Sequence, residues 1–107
     1  MAAMNLNNKQ FSELIHGEKP LLVDFWAPWC GYCRRIAPAY EKIAESWSDE
    51  VIIAKVNIDE EPALAQQERI EVIPTLVLYQ NGQSLASIVA PESKARIDDF
   101  IFENLGE

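Results

Sequence analysis

The chain is short of positive charge. Nine lysines and arginines stand against 17 aspartates and glutamates, a formal charge of −8. Phosphate backbones and anionic bilayers are bound through local positive charge, so neither nucleic acid nor membrane is expected as a partner. Only one histidine is present, His16, and at a helix end it reads as a solvated residue rather than a ligand. No apolar stretch approaches the roughly 18 residues that a membrane span needs. The segment Met1-Ala2-Ala3-Met4-Asn5-Leu6-Asn7-Asn8 lacks a basic stretch followed by an apolar one, so no secretory signal is expected. Repeats, low-complexity tracts and linkers are missing too. A cytoplasmic monomer made of one domain, residues 1–107, is expected. At 49% hydrophobic, 107 residues suffice to bury a core without metal or covalent staples.

Cysteine is also scarce. The two that occur lie three residues apart, in Trp29-Cys30-Gly31-Tyr32-Cys33. A bridge closing so short a loop is worth only about 2 kcal/mol in the chain-entropy account, at the low end for a disulfide. A stapling pair would enclose more chain. This spacing suits a pair that opens and closes, with the second thiol always in reach of whatever the first has attacked. A dithiol redox site is expected.

Strand and helix signals alternate along the chain. Asn7 with Gln10 three residues on is a capping box, opening a short helix through Phe11, Leu14 and Ile15 that Gly17 and Pro20 end. Leu21 to Trp26 is apolar on both faces but for Asp24, the pattern of a central strand. Ile36, Tyr40, Ile43, Ala44 and Trp47 recur at helical spacing, so a long amphipathic helix starts at the cysteines, and Pro38 within it should kink the axis. Val51 to Ile58 reads as a second buried strand. Asp59, Glu60 and Glu61 ahead of Pro62 read as the solvated start of another short helix. Thr75 to Tyr79 and Leu85 to Val89 flank Asn81-Gly82, a hairpin signal. A last helix from about Ser93 sets Ile97, Phe100, Ile101 and Leu105 on one side, with Phe102 beside them. With a weak strand ahead of the first helix, this is an α/β domain: a central mixed sheet with helices on both faces.

Val23 to Cys33, Ala37-Pro38, Lys55-Val56-Asn57-Ile58-Asp59, Ile73-Pro74-Thr75 and Asn81-Gly82 together closely resemble the thioredoxin family. The match runs in order and at matching spacing over nearly the whole chain. The resemblance implies the thioredoxin fold, a cis peptide bond before Pro74, and reduction of disulfides in client proteins by dithiol–disulfide exchange. It implies no bound cofactor and no metal, with electrons supplied indirectly from NADPH through a thioredoxin reductase.

Within that frame the chemistry divides between the two sulfurs. Cys30 opens a helix, where unpaired N–H groups and the positive end of the dipole favour thiolate, so it is the expected nucleophile. Cys33, one turn further in, resolves the mixed disulfide. Gly31 leaves room for a client chain. Trp29, Tyr32, Pro74 and Ala90 should border the docking surface, with backbone hydrogen bonds offered at Ile73. Asp24 interrupts an apolar strand between same-face neighbours Leu22 and Trp26, and burial would raise its pKa. The family places this carboxylate behind the second cysteine as acceptor of its proton. Lys55, otherwise an ordinary surface lysine, has family precedent as the neighbour that modulates Asp24. Trp26 is read as partly packing and partly a wall of the site, and Tyr79 as a core residue.

Three departures stand out. Tyr32 replaces the proline that thioredoxins usually carry, giving the Gly-Tyr pair also found in disulfide isomerases of the bacterial envelope. Ala90 and Arg69 each stand where the family favours glycine. Proline at 32 would lack an N–H, whereas tyrosine returns a donor to the helix start near the Cys30 thiolate. A better stabilised thiolate makes the disulfide a stronger oxidant, so a less reducing couple is expected. The alternative function is therefore an oxidase or isomerase of the same fold. A non-catalytic docking module would not need Cys30, Cys33, Asp24 and Trp29 together, and a zinc site needs about four ligands where this chain offers two cysteines and a distant histidine.

Overall fold

The computed structural model describes residues 3–106; residues 1, 2 and 107, the ends of the expected domain, lie outside the described residues. Nine elements follow one another: β1 (Met4–Asn5), α1 (Asn8–Leu14), β2 (Leu21–Trp26), α2 (Gly31–Ser46), β3 (Ile52–Asn57), α3 (Pro62–Gln67), β4 (Thr75–Gln80), β5 (Gln83–Val89) and α4 (Lys94–Leu105). The strands form one sheet in the order β1-β3-β2-β4-β5. β1, β3 and β2 run parallel, while β4 is antiparallel to β2 and β5 to β4. This is the expected mixed sheet.

The run from Leu21 to Trp26 is central because it is apolar on both faces, and the helices divide accordingly. Leu22, Ile53, Leu76 and Leu78 pack against Ile36, Tyr40 and Ile43 of α2 and Ile97, Phe100 and Ile101 of α4. Leu21, Val23, Phe25, Val56 and Val77 pack on the opposite face against Phe11 of α1 and Leu64 of α3. The period of two thus turns Asp24 toward α2, the helix that begins at the cysteines. The capping box of α1 closes in both directions, with Asn7 Oδ1 accepting from the Gln10 N–H at 2.8 Å and Gln10 Oε1 from the Asn7 N–H at 2.9 Å.

Pro38 lies inside α2 as expected, and Trp47 forms its C-cap rather than its last turn. The fully buried Tyr40 hydroxyl, 2.7 Å from the Ala54 carbonyl oxygen and 3.2 Å from that of Leu22, ties α2 down onto β3 and β2. Phe102, beside the buried face of α4, is 48% exposed and meets Trp47 in a T-shaped pair, 5.0 Å between ring centres. No helix among the described residues is long and apolar enough to cross a membrane.

Candidate active site

β2 ends at Trp26, and Ala27 to Trp29 carry the chain from its carboxyl end to Cys30, the N-cap of α2. Strand ends that meet helix starts are where open α/β sheets place their ligands. Cys30 has extended backbone, φ −85° and ψ 111°, and its Sγ accepts from the Cys33 N–H at 3.2 Å. The two cysteines are joined in a disulfide, their Cα atoms 5.2 Å apart. Helix geometry sets the two sulfurs apart. Cys30, 9% exposed, is the more accessible of the two, its Sγ 4.0 Å from the Ile73 carbonyl oxygen. Cys33, 3% exposed, lines a cavity of about 230 Å³ with Asp24, Trp26, Arg34, Ala37 and Lys55.

Asp24 is the electrostatic anomaly of that cavity. It is 3% exposed, and its Oδ1 has no hydrogen-bond partner. Burial raises its pKa from the ordinary 3.8 to about 7, with the positive charge of Lys55 opposing part of the rise. The parallel register sets Lys55 directly beside Asp24. Its Nζ is nonetheless 3.7 Å from Glu41 Oε2 and 5.2 Å from the centre of the Trp26 ring. Glu41 also accepts the Ala3 N–H at 2.8 Å. Lys55 therefore acts on Asp24 through space, from a position anchored elsewhere. Trp26 both lines the cavity and donates its Nε1–H to Asn5 Oδ1 at 2.9 Å, combining packing and wall.

Around Cys30 the surface is built from four loops. Trp29 is 64% exposed, and its indole N–H lies 3.0 and 3.2 Å from the two carboxylate oxygens of Asp59. Asp59 was hidden in the sequence by its acidic neighbours, which read as a solvated helix start. Asp59 is exposed just ahead of α3, as that reading has it, and it also holds the tryptophan; Glu61, the N-cap, accepts from the Asn8 N–H at 3.2 Å. The signal that could have found Asp59 is its place just beyond β3, the strand beside the one that carries the site. Ile73-Pro74 is a cis peptide bond. Ala90, φ 46°, donates its N–H to the Pro74 carbonyl at 2.9 Å, which brings the end of β5 to the same place. Val72 and Val89, both exposed, line a separate groove with Val77 and Tyr79. A Cβ added at Gly31 would meet nothing within 4 Å, so that position is open.

Tyr32 is half-buried. Its ring packs against the α2–α4 core and its hydroxyl donates to the Pro91 carbonyl at 3.0 Å. Arg34, which gave no sequence signal beyond following Cys33, lines the cavity and donates to the Pro28 carbonyl at 3.0 Å. Tyr79 is buried as expected, but its hydroxyl donates to Glu68 at 2.8 Å on the far side of the sheet. Among the described residues no three or more of His, Cys, Asp and Glu gather into a metal-binding group.

The sequence model of the thioredoxin family matches residues 2–103. The thioredoxin of Alicyclobacillus acidocaldarius is 42% identical over 97 residues, 91% of this chain and 92% of that protein. The thioredoxin of Acidithiobacillus ferridurans is 44% identical over 94 residues, covering 88% and 87%. The bifunctional thioredoxin reductase/thioredoxin of Mycobacterium leprae is 39% identical over 87 residues, 81% of this chain and 19% of that longer protein. A helix-start cysteine pair closed as a disulfide, on a sheet of this order, agrees with likeness of that extent. The chain belongs to the thioredoxin family of disulfide oxidoreductases, working by dithiol–disulfide exchange.

Proposed function

We propose that this single-domain protein reduces disulfides of client proteins, with Cys30 as nucleophile, Cys33 as resolving thiol and Asp24 as acceptor of the Cys33 proton. The observation that carries this reading is the asymmetry of the two sulfurs. One belongs to the more accessible cysteine, 9% against 3% exposed, and lies beside the Ile73 carbonyl; the other lines a cavity with a buried carboxylate. In the reduced protein the Cys30 thiolate attacks a client disulfide, forming a mixed disulfide and releasing one client thiolate. Cys33 gives its proton to Asp24 and attacks the Cys30 sulfur. The Cys30–Cys33 bond forms as the second client thiolate leaves, so the client gains two electrons and the protein loses two. An acid with a pKa near 7 is suited to both taking and returning that proton at neutral pH. The cavity exceeds the roughly 30 Å³ share of one liquid water, so water can bridge the carboxylate and the thiol. Lys55 modulates Asp24 by its charge.

Trp29, Gly31, Ile73, Pro74 and Ala90 form the docking surface, together with the Tyr32 backbone. The exposed apolar Trp29, next to Cys30 in the chain, supports that assignment. Electrons return through a thioredoxin reductase; the fusion of the two activities in the Mycobacterium leprae relative is in keeping with such a partner. A cytoplasmic site of action accompanies that supply, and a charge of −8 favours the monomer.

The test is trapping. Cys33→Ser should accumulate mixed disulfides with client proteins while Cys30→Ser accumulates few, and thiol labelling near neutral pH should be faster at Cys30. Equal trapping by the two variants refutes the division of labour. A second reading, an oxidase- or isomerase-like role, is favoured by one feature, Tyr32 in place of proline. Equilibration against a glutathione buffer decides it, since a couple well above the thioredoxin value of about −270 mV places electron flow in the oxidising direction.

A further inference from the structure

Ala90 is held in backbone that alanine avoids. Its φ of 46° lies in the left-handed region, where a Cβ crowds the following carbonyl and glycine is the residue of choice. It also precedes Pro91, and a residue before proline is steered toward extended backbone. Such a conformation persists only where its surroundings over-determine it, and it tends to mark a working part of the surface. Two hydrogen bonds do the determining. On one side the Ala90 N–H reaches the Pro74 carbonyl at 2.9 Å. On the other the Pro91 carbonyl accepts the Tyr32 hydroxyl at 3.0 Å, across 59 residues of chain.

Tyr32 stands in the first turn of α2, between the two cysteines. Its ring is wedged against the core of the α2–α4 face and Pro91 is buried, so both ends of the bond are fixed. The redox turn, the Ala90–Pro91 turn and the Pro74 turn are thereby linked in sequence: Tyr32 to Pro91, Ala90 to Pro74, and Ile73 alongside the Cys30 sulfur.

We propose that Tyr32 is a positioning residue, whose phenol clasps the Ala90–Pro91 turn to the redox helix and so pre-forms the wall of the groove into which client proteins dock. This rests on the docking surface proposed above. A pre-formed wall spares a protein client the cost of ordering the turn on binding, while a small disulfide that reaches Cys30 without touching the wall gains nothing from it. The phenol thus shifts preference toward macromolecular disulfides.

The experiment compares Tyr32→Phe with the parent on two substrates, insulin as the protein disulfide and hydroxyethyl disulfide as the small one. Phenylalanine keeps the ring in its packing site and removes only the hydroxyl. The ratio of kcat/KM on insulin to that on the small disulfide should fall roughly fivefold, the worth of one neutral hydrogen bond, with the loss in KM. Exchange of the Ala90 amide hydrogen, measured by NMR, should quicken. An unchanged ratio overturns the proposal, whether or not the two rates fall together, and so does unchanged Ala90 exchange. Trp29→Ala, run in parallel, separates this from failure of the docking surface itself. If insulin KM is insensitive to Trp29→Ala, the surface is wrong; if it responds and the Tyr32→Phe ratio does not move, only the clasp is.

Discussion

Replacing Asp24 by asparagine should stabilise the protein in neutral and mildly alkaline solution and give no such gain in mild acid. The carboxyl group is buried with one oxygen unpartnered, and its pKa rises from 3.8 in a solvated chain to about 7 when folded. Below about pH 4 both states hold the proton and Asp24 carries no ionisation cost. Between about pH 4 and about pH 7 the unfolded chain ionises while the folded one keeps its proton, so stability falls by about 1.36 kcal/mol per pH unit. Above about pH 7 the loss is complete, and the interval from 3.8 to about 7 makes it about 4 kcal/mol. Asparagine never ionises and escapes this loss. It does place an amide where an oxygen already lacks a partner, at a cost of about 1–3 kcal/mol. The net gain is then about 1–3 kcal/mol at about pH 8, while at about pH 4 the variant is level with the parent or below it. Urea unfolding of the two oxidised proteins across that range measures the difference, and every other titrating group cancels in it. A stability difference that stays constant from about pH 4 to about pH 8 refutes a titrating buried carboxylate. In stopped-flow kinetics the same substitution should slow resolution of the mixed disulfide, and an unchanged resolution step removes Asp24 from the proton path.

Ala90→Gly and Arg69→Gly should each stabilise the fold by up to about 1 kcal/mol, because both residues have positive φ, 46° and 59°, and relief of that strain exceeds the added freedom of the unfolded glycine. Urea midpoints that fall in both variants would show the turns to be comfortable as they stand. Tyr32→Pro should lower the redox potential by removing the backbone donor beside Cys30, whereas Tyr32→Phe, which keeps that N–H, should leave it in place; each tenfold change in the exchange equilibrium is about 30 mV. A potential that is unchanged or raised in the proline variant refutes the donor effect.

The elements were legible because each carries a strong local pattern. A doubly apolar run made β2 central, helical spacing from Ile36 to Ala44 drew α2, and Asn81-Gly82 turned the β4–β5 hairpin. The strand β5 begins two residues earlier than its apolar residues, at Gln83, because a sheet edge needs backbone pairing rather than burial to continue. The cis bond before Pro74 was available from resemblance alone, since the local sequence there shows only a turn. Ala90 and Arg69 stood out as residues where glycine is usual, and the positive φ at each is the physical content of that observation.

Within the site, legibility follows whether a residue violates a local rule. Asp24 was visible because a carboxylate inside an apolar strand is anomalous whatever surrounds it, and burial alone is the larger cause of its raised pKa. Asp59, Arg34 and the Tyr32 hydroxyl violate nothing. An aspartate before a helix, an arginine on a helix surface and a tyrosine near a helix start are each ordinary, and their roles arise from partners that only the folded chain supplies: Trp29, 30 residues away, the Pro28 carbonyl, and Pro91, 59 residues away. Lys55 falls between these cases. The register that sets it beside Asp24 follows from pairing two buried strands, but its anchor on Glu41 depends on the rotation of α2 about its own axis. That rotation is fixed by Tyr40, whose hydroxyl reaches the Ala54 and Leu22 carbonyls from the turn that carries Glu41. The charge acting on the buried Asp24 carboxylate is therefore positioned by a buried phenol on a helix whose sequence pattern shows only an apolar face. Tyr40→Phe should loosen the Lys55–Glu41 pair, and a Lys55 free to approach Asp24 would lower the carboxyl pKa. The shift is readable by NMR titration of Asp24, and a pKa that does not fall in Tyr40→Phe refutes this coupling.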